Sequence, residues 1–288
     1  MKKLPITVII LTRDEEIHLE RCLENIVPHA ERVHVVDWGS VDKTREIAKR
    51  FGAVITEHEF VHQADQFNWA LDHLLIETPW ILRLDADEYC TAELWKEIGE
   101  SIGAAPEGTS GFYIKRRVYF MGRWIRHGGY YPSWFLRLFR KGMARYEERE
   151  MDEHLLLESG GAGFLKNDFV DWNLKGLADW TAKHNGYSTR EVAARLREES
   201  EGFTASGSEG QAARKKWMKH NIYGRLPLFI RPFIYFVYRY VFRLGFLDGV
   251  PGFAFHVLQG FWHQFLIDVK LHEAKYIANE KKEKASNK

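Results

Sequence analysis

The apolar positions in the first ninety residues alternate between two periodicities. Short runs rich in β-branched residues predict strands at Ile6–Leu11, Val33–Val36, Ala53–Thr56 and Trp80–Leu84. Between them, apolar residues recur every three or four positions and predict helices at about Glu15–Asn25, Asp42–Phe51 and Gln66–Leu75. Strands that alternate with helices predict an α/β fold, with a Rossmann-like, mainly parallel sheet flanked by helices.

Residues that start or stop helices support these bounds. Pro28 follows the first predicted helix and prevents its continuation. Ser40 is a favourable N-cap for the second helix, and Gly52 is suited to close it.

The chain changes character after residue 110. Gly111–Arg117 and Trp134–Phe139 alternate like strands, and Gly160–Gly163 predicts a flexible turn. Ala178–Glu199 is helical and strongly charged. We therefore predict one domain over residues 1–175, with halves of about 1–110 and 111–175, and a helical C-terminal appendage over 176–288.

The C-terminal region is aromatic and basic. Gly249 to Ile267 carries no Asp, Glu, Lys or Arg and is long enough to span a membrane. However, Pro251 interrupts this stretch, and His256 and His263 add polar positions. We favour paired amphipathic helices that lie in the membrane interface. A core or oligomer-contact hairpin and a true span are the alternatives.

Composition narrows the class of protein. The 288 residues are 45% hydrophobic and 28% charged, as in a globular protein, and the net charge of +1 gives no reason to expect nucleic-acid binding. The two cysteines, Cys22 and Cys90, indicate a reducing compartment. The apolar run Val8–Leu11 is too brief for a signal peptide, so we expect a cytoplasmic protein.

The strongest candidate chemistry follows the fourth predicted strand. Asp85 and Asp87 are two residues apart, so on an extended chain they point the same way. Two such carboxylates repel each other unless a cation lies beside them, and hard oxygen ligands suit Mg²⁺ or Mn²⁺, which commonly also binds substrate phosphates. The alternative is a solvated acidic loop.

Two other strands place polar groups at the same predicted edge. Thr12 and Asp37 end the first and second strands, and ligands of such sheets bind outside the carboxyl ends of the strands. The chain has no G-x-G-x-x-G after its first strand and no G-x-x-x-x-G-K-[ST], so dinucleotide and P-loop sites are disfavoured. A metal would then have to neutralise the phosphates.

An ordered set of motifs resembles the inverting family 2 glycosyltransferases, which have the GT-A fold, and more narrowly the bacterial lipopolysaccharide-core glucosyltransferases. The motifs are Leu11-Thr12-x-x-Glu15-Glu16, Val35-Val36-Asp37-x-Gly39-Ser40-x-Asp42-Lys43-Thr44, Gln66–Leu71, Leu82–Glu88, His127–Pro132 and Met151-Asp152-Glu153-His154.

This resemblance implies roles for individual residues. Thr12, Glu15 and Asp37 would hold the uracil and ribose of a UDP-sugar. Asp85 would lie against the ribose or sugar, where Arg83 would either contact the donor or pair with the two aspartates. Asp87 would bind Mn²⁺ or Mg²⁺, with Asp85 as a possible second ligand.

The resemblance also implies the reaction. Asp152 would be the catalytic base, with Glu153 as the second choice. A carboxylate must take the proton of the acceptor hydroxyl on the side of the anomeric carbon opposite the phosphate. A single attack from that side inverts the anomeric configuration.

An acceptor site is predicted where cations and aromatic residues are interleaved. Arg116, Arg126, His127 and Tyr130 are the candidate contacts. The wider basic zone is Lys115, Arg116, Arg117, Arg123, Arg126, Arg137 and Arg140. Such a zone suits a phosphorylated saccharide. Alternatively, several of these arginines pair with the acidic run Glu147–Glu153.

The favoured activity is therefore metal-dependent transfer of glucose from UDP-glucose to a membrane-linked saccharide such as the lipopolysaccharide inner core. We expect the protein at the inner face of the bacterial inner membrane. The alternatives are polyprenyl phosphate or a capsular or other glycan as acceptor, and a non-catalytic GT-A-like binding scaffold. Trp38, Val41 and the pair Arg13-Asp14 depart from the family pattern around the base site.

Overall fold

The computed structural model describes residues 3–147, 154–201, 217, 221 and 223–286. The chain forms two compact units. The first consists of Met1–Ile125 and Tyr130–Leu174, and the second of Arg126–Gly129 and Lys175–Lys288.

The first unit contains the alternating strands and helices. Its strands are β1 (Leu4–Thr12), β2 (Ala30–Asp37), β3 (Val54–Glu57), β4 (Trp80–Asp85), β5 (Glu88–Cys90), β6 (Thr109–Phe120), β7 (Arg123–Trp124), β8 (Trp134–Arg140), β9 (Ala144–Tyr146), β10 (Leu155–Leu157) and β11 (Gly161–Trp172). Its helices are α1 (Glu16–Ile26), α2 (Thr44–Arg50), α3 (Gln63–His73) and α4 (Ala92–Gly103).

Within the described residues, nine strands form one sheet. Its order is β3-β2-β1-β4-β8-β6-β11-β5, and β7 pairs with β6 at the side. The first four strands are mutually parallel, and β6 is parallel to β11. β8 runs antiparallel between β4 and β6, while β9 and β10 form a separate antiparallel pair. The predicted α/β class, with a mostly parallel sheet, flanking helices and a helical C-terminal region, is confirmed.

Both faces of the central strands are buried, as expected of strands covered by helices on each side. On β1, Ile6, Val8 and Ile10 join one core cluster with Leu19 and Leu23 of α1. Ile9 points to the opposite face. There it packs in a second cluster with residues that include Phe67 and Phe139. Each such side chain contributes about 1.5–3 kcal/mol when fully buried.

The register of the central strands determines where the polar residues lie. Thr12 pairs with Asp37 across β1 and β2, and Leu11 pairs with Asp85 across β1 and β4. Three parallel strands therefore end at one level, and Thr12, Asp37 and Asp85 lie at the same edge of the sheet.

Two local predictions were wrong. Helix α2 begins at Thr44, and Ser40 hydrogen-bonds Asp37 instead of capping that helix. The glycine-rich run at 160–163 is mostly strand, since β11 begins at Gly161. A Cβ on Gly163 would lie 2.7 Å from the Phe112 ring, so this glycine allows two strands to approach closely.

The second unit is helical. Its elements are α5 (Leu177–Glu201), a 3₁₀ turn (Tyr223–Arg225), α6 (Arg231–Val237), a π-helical turn (Tyr238–Phe242), a 3₁₀ turn (Gly245–Asp248), α7 (Gly249–Phe255), a second π-helical segment (His256–Trp262) and α8 (His263–Ser286). Val192 of α5 packs against Ile267 and Leu271 of α8. Arg231 is buried in an ion pair with Asp268.

Among the described residues, no single helix is both long and apolar enough to cross a bilayer. The segments Arg231–Phe242 and Gly245–Lys284 meet the length and composition criteria only as a pair, and they are bent by 70° relative to each other.

Candidate active site

Asp37 is the centre of the first half of the site. The residue is buried at the end of β2, where Thr12 Oγ donates to its Oδ2 at 3.1 Å and the Ser40 N–H donates to its Oδ1 at 3.0 Å. The Ser40 hydroxyl also donates to Oδ2, and Arg45 Nε donates to Oδ1 at 2.6 Å. Burial alone would raise the pKa of Asp37, but these hydrogen bonds outweigh burial and lower the pKa below its ordinary value.

Side chains also join the loop after β1 to the loop after β2. The Asp14 N–H donates to Ser40 Oγ, and the Val41 N–H donates to Asp14 Oδ1 at 2.8 Å. The Glu15 N–H donates to Thr44 Oγ1 at 2.7 Å. Asp14 has φ of 51°, which aspartate tolerates better than most residues. These bonds hold the two loops at a fixed separation beside Asp37.

An open cleft of about 440 Å³ lies on the β2–β3 side of this site. It is lined by Asp37, Trp38, Gly39, Glu57, His58, Glu59 and Phe60. The Trp38 ring stacks on Phe60 with centroids 4.4 Å apart, and the Arg13 guanidinium lies 3.7 Å from the Trp38 centroid. Trp38 and Arg13, which depart from the family pattern, therefore contact each other at the cleft wall.

Glu15 is oriented by a buried histidine. His18 is fully buried, and its Nε2 accepts the Leu174 N–H at 2.7 Å. In the neutral ring the proton is therefore on Nδ1, which lies 2.6 Å from Glu15 Oε2 and donates to it.

The second half of the site is a network of alternating charges at the end of β4. Arg83 Nη2 donates to Asp85 Oδ1 at 2.7 Å, and Arg137 Nη2 donates to Glu88 Oε1 at 2.6 Å. The Asp85 N–H donates to Glu88 Oε2 at 2.9 Å. Two arginines thus balance two acids in a largely buried setting.

The charged groups in this network shift each other's pKa values. Burial raises the pKa of Glu88 well above its ordinary value, and repulsion from Asp85 adds to the increase although Arg83 opposes it. Burial alone would lower the pKa of Arg83, but Asp85 and neighbouring groups outweigh it and raise the pKa. Arg83 therefore stays charged and holds the Asp85 carboxylate in place.

Asp87 lies on the turn that follows Asp85. Its Oδ2 accepts the Asn173 amide at 3.0 Å. Its carbonyl oxygen accepts Arg21 Nη2 at 3.1 Å, and the same nitrogen donates to the Trp172 carbonyl oxygen at 2.6 Å. Arg21 therefore ties this turn to the end of β11.

The resemblance implies a divalent cation, and the residues present are compatible with one. Asp87 is half-buried and offers hard carboxylate oxygens, whereas the Asp85 carboxylate already contacts Arg83 and lies 3.8 Å from Arg137 Nη2. Across the described ranges, no three His, Cys, Asp or Glu residues form a cluster that could hold a metal ion. Mg²⁺ in phosphate-binding sites commonly has one or two protein carboxylates, with phosphates and water completing its shell. Asp87 is therefore the better placed ligand of the two.

The predicted acceptor residues lie in different surroundings. Arg116 Nη1 is 3.4 Å from Asp171 Oδ2, and the Tyr130 carbonyl oxygen accepts the Ser133 hydroxyl. In the second unit, His127 hydrogen-bonds both oxygens of Asp248, and Arg126 is exposed. Their role in acceptor binding stays a prediction.

The wider basic zone is not a continuous cationic surface. Arg137 is buried against Glu88, Arg117 Nη2 lies 2.8 Å from Asp168 Oδ2, and Arg140 lies over the Trp80 ring. The carboxylates paired with these arginines come from β5 and β11. In the acidic run, Glu147 hydrogen-bonds His154 at 3.2 Å. The catalytic-base candidates Asp152 and Glu153 lie outside the described residues.

Sequence reasoning missed four residues that shape the site. Arg45 and Glu88 fall inside or beside recognised motifs, but a turn at residues 86–87 separates β4 from β5, so strand alternation could not have placed Glu88 beside the Asp85 N–H. Arg21 and Asn173 contact Asp87 from 66 and 86 positions away, and no local pattern reveals such contacts.

Fold and site together define an α/β protein with polar and acidic groups gathered at the carboxyl edge of parallel strands. Residues 7–167 match glycosyl transferase family 2, and the chain belongs to this family. It is 26% identical over 283 residues to the lipopolysaccharide core biosynthesis glycosyltransferase LpsC of Rhizobium meliloti (strain 1021), covering 94% of this chain and 93% of that protein.

The solved structures that resemble this chain share less sequence identity with it than LpsC does. The S. aureus TarS 1-349 structure covers 94% of this chain and 92% of its own, with 12% identity and a TM-score of 0.46. Glucosyl-3-phosphoglycerate synthase from Mycobacterium tuberculosis, in complex with Mn²⁺, UDP and glucosyl-3-phosphoglycerate, covers 40% of this chain, with 17% identity and a TM-score of 0.33. This match spans 44% of the synthase chain.

Proposed function

We propose that this glycosyltransferase is metal-dependent and inverting, and that it transfers glucose from UDP-glucose to a membrane-linked saccharide of the lipopolysaccharide-core type. The observation that carries the proposal is the convergence of Thr12, Asp37 and Asp85 at one sheet edge in a family 2 chain. The similarity to LpsC over nearly the whole chain supports the acceptor class.

In this proposal, the first half of the site binds the nucleoside. The cleft beside Asp37 accepts the base, and Glu15, oriented by His18, faces the ribose. Asp37 is already saturated by four hydrogen bonds from Thr12, Ser40 and Arg45. It therefore organises the loops that surround the base.

The second half binds the diphosphate and sugar. Asp87 would hold a Mg²⁺ or Mn²⁺ ion, and such an ion would supply positive charge against the charge that develops on the leaving diphosphate. Arg83 keeps Asp85 fixed beside the sugar, and Glu88 holds the Asp85 N–H and so the shape of the turn. Asp152 would take the proton from the acceptor hydroxyl as that oxygen attacks the anomeric carbon.

The test is a panel of UDP-sugars and one GDP-sugar, each scored for thermal stabilisation with and without Mn²⁺. A ligand that binds the folded state raises apparent stability by mass action, by about 2.7 kcal/mol at a hundred times its Kd. We expect a Mn²⁺-dependent shift with UDP-glucose and a smaller one with UDP alone. Equal shifts with and without Mn²⁺ would contradict metal dependence. A shift with another sugar nucleotide only would contradict the donor.

A further inference from the structure

One stretch of the second unit exposes large apolar side chains along most of its length. Twelve of them between residues 230 and 253 are at least 42% exposed. We call this set the apolar ridge; it consists of Ile230, Phe233, Ile234, Val237, Tyr238, Val241, Phe242, Leu244, Phe246, Leu247, Val250 and Phe253. Exposed apolar residues are normal when scattered singly, but a contiguous set marks a binding surface.

The charges of the same stretch are distributed unevenly. Residues 223–262 contain four arginines, one aspartate and no lysine or glutamate. Asp248 is buried against His127, Arg231 is buried against Asp268, and the buried Arg239 donates from Nε to the Gly128 carbonyl oxygen at 2.7 Å. The exposed charges of residues 223–262 are therefore Arg225 and Arg243, both positive.

The breaks in these helices determine how the segment can bind a membrane. The chain of the apolar ridge changes from α-helix to π-helical turn to 3₁₀ turn, and Leu244 between them has φ of 60°. Apart from Ile230 and Leu244, the ridge lies on two helical segments, Arg231–Phe242 and Gly245–Lys284, which are bent by 70° relative to each other, and among the described residues no single helix is long and apolar enough to cross a bilayer. A broken helix with one apolar face is suited to lie in the plane of the bilayer interface.

Charge complementarity identifies the partner. A second copy of this chain would bring the same two exposed arginines and no exposed acid within residues 223–262. A bilayer with anionic headgroups offers both the apolar acyl-chain boundary that the ridge requires and the negative charge that Arg225 and Arg243 require.

We infer that the apolar ridge docks flat on a bilayer with anionic headgroups, with Arg225 and Arg243 at headgroup level. The inference rests on the proposed function, because it describes how the enzyme reaches a membrane-linked acceptor.

The helices that carry the ridge also hold the 126–129 loop, which contains two predicted acceptor residues. Arg239 and Asp248, which alternate with ridge residues, hydrogen-bond Gly128 and His127, and the Gly128 N–H donates to the Arg243 carbonyl oxygen at 2.8 Å. A Cβ on Gly128 would lie 2.0 Å from His256 Cε1, so the loop is packed tightly against this unit. Docking of the ridge thus sets the depth of this loop relative to the headgroups.

The experiment is flotation of the full chain with phosphatidylcholine vesicles, with and without phosphatidylglycerol, in the absence of donor and acceptor. We expect binding to the vesicles with phosphatidylglycerol, weaker binding to phosphatidylcholine alone, and release by salt. Phe242→Asp and Val250→Asp change the most exposed ridge residues, at 73% and 81%, and each should weaken binding at least about tenfold.

Further variants distinguish the contribution of apolar insertion to vesicle binding from the contribution of charge. Leu75→Asp alters a residue that is 76% exposed in the first unit and should bind vesicles like the wild type. Arg225→Gln and Arg243→Gln should each weaken binding about fivefold, and only to the vesicles that contain phosphatidylglycerol. Since all five positions are exposed, unchanged unfolding curves should confirm that each variant folds.

The inference is overturned if the wild type does not float, or if Phe242→Asp and Val250→Asp float as the wild type does. It is also overturned if the wild type is a dimer that these two substitutions convert to monomers, because a second copy would then cover the ridge. Donor-induced thermal shifts are measured on the same variants. Normal shifts with lost flotation support the inference, whereas flotation without any donor shift counts against the proposed function alone.

Discussion

Arg45 Nε lies 2.6 Å from Asp37 Oδ1, so a partly exposed cation on α2 neutralises a buried carboxylate at the end of β2. The same guanidinium reaches Glu57 Oε1 through Nη1 at 2.5 Å. Arg45 therefore links the ends of β2 and β3, the two strands that border the cleft. The nucleoside half of the site depends on this link as well as on the loop hydrogen bonds.

Protonation of Asp37 should contribute to the loss of folding stability at acidic pH. Its folded-state pKa is lowered, so its contribution to stability is complete above the unfolded-state pKa of about 3.9 and is lost as pH falls through the lower folded-state value. Asp37→Asn should cost about 1–3 kcal/mol at pH 7 and remove this part of the pH dependence. Urea unfolding between pH 7 and pH 2.5 measures both effects.

The control for this prediction is Asp179→Asn, at an exposed carboxylate in the first turn of α5. It should leave the acid limb of the stability curve close to that of the wild type. An acid limb that is the same in Asp37→Asn and the wild type would show that Asp37 is not the group responsible.

Glu88 should show the opposite pH dependence. Because burial raises its folded-state pKa, the stability that its protonated form contributes is lost as pH rises through that pKa. Glu88→Gln retains an acceptor for the Asp85 N–H and avoids burying a charge, so its stability relative to the wild type should increase with pH. Glu88→Ala should be about 1–3 kcal/mol less stable than Glu88→Gln, since the Asp85 N–H then lacks its acceptor. Chemical unfolding at pH 5 and pH 8 distinguishes the three proteins.

Asp87→Asn should abolish the Mn²⁺-dependent part of donor binding. An amide oxygen is a weaker ligand for a hard cation than a carboxylate, and no cluster of three metal-binding side chains exists in the described part of the chain to replace it. Calorimetric titration of UDP-glucose with Mn²⁺ should show an affinity reduced at least about tenfold, which corresponds to about 1.4 kcal/mol. Asn173→Ala, which removes the amide that donates to Asp87 and leaves the carboxylate in place, should retain metal-dependent binding. Full Mn²⁺ dependence in Asp87→Asn would reassign the ligand.

Asp152→Asn should separate binding from turnover. The resemblance assigns the base role to Asp152, so its amide should leave donor affinity near the wild-type value and reduce the transfer rate by about 10²–10⁴-fold. Glu153→Gln is the matched control and should keep most of the rate. If Asp152→Asn turns over at a near-normal rate while Glu153→Gln does not, Glu153 is the base.

Several features of the fold followed directly from the residue pattern. The four runs around Val8, Val35, Ile55 and Leu82 are strands within two or three residues of the predicted bounds, because buried strands require apolar, β-branched residues wherever they occur. The arrival of Thr12, Asp37 and Asp85 at one edge also followed, since parallel strands in such sheets end together.

Contacts between distant residues did not follow from the pattern. Ser40 is a residue type that commonly caps helices, yet α2 begins only at Thr44, and the Ser40 hydroxyl accepts the Asp14 N–H and donates to Asp37. Arg137 belongs to a basic run in sequence but lies buried against Glu88, 49 positions away. The identity of a side chain restricts which partners it can take, whereas the packing of strands and helices decides which partner is near.

The sequence by itself determined the family, the order of the strands along the chain and the carboxylates that end them, because these depend on local periodicity and on short motifs. Only the tertiary structure decided that Arg45 and Arg83 neutralise two of those carboxylates, that Arg21 and Asn173 support Asp87, and that the apolar side chains of residues 230–253 remain exposed. Burial and charge pairing depend on distances between residues far apart in the chain, and these distances exist only once the chain has folded.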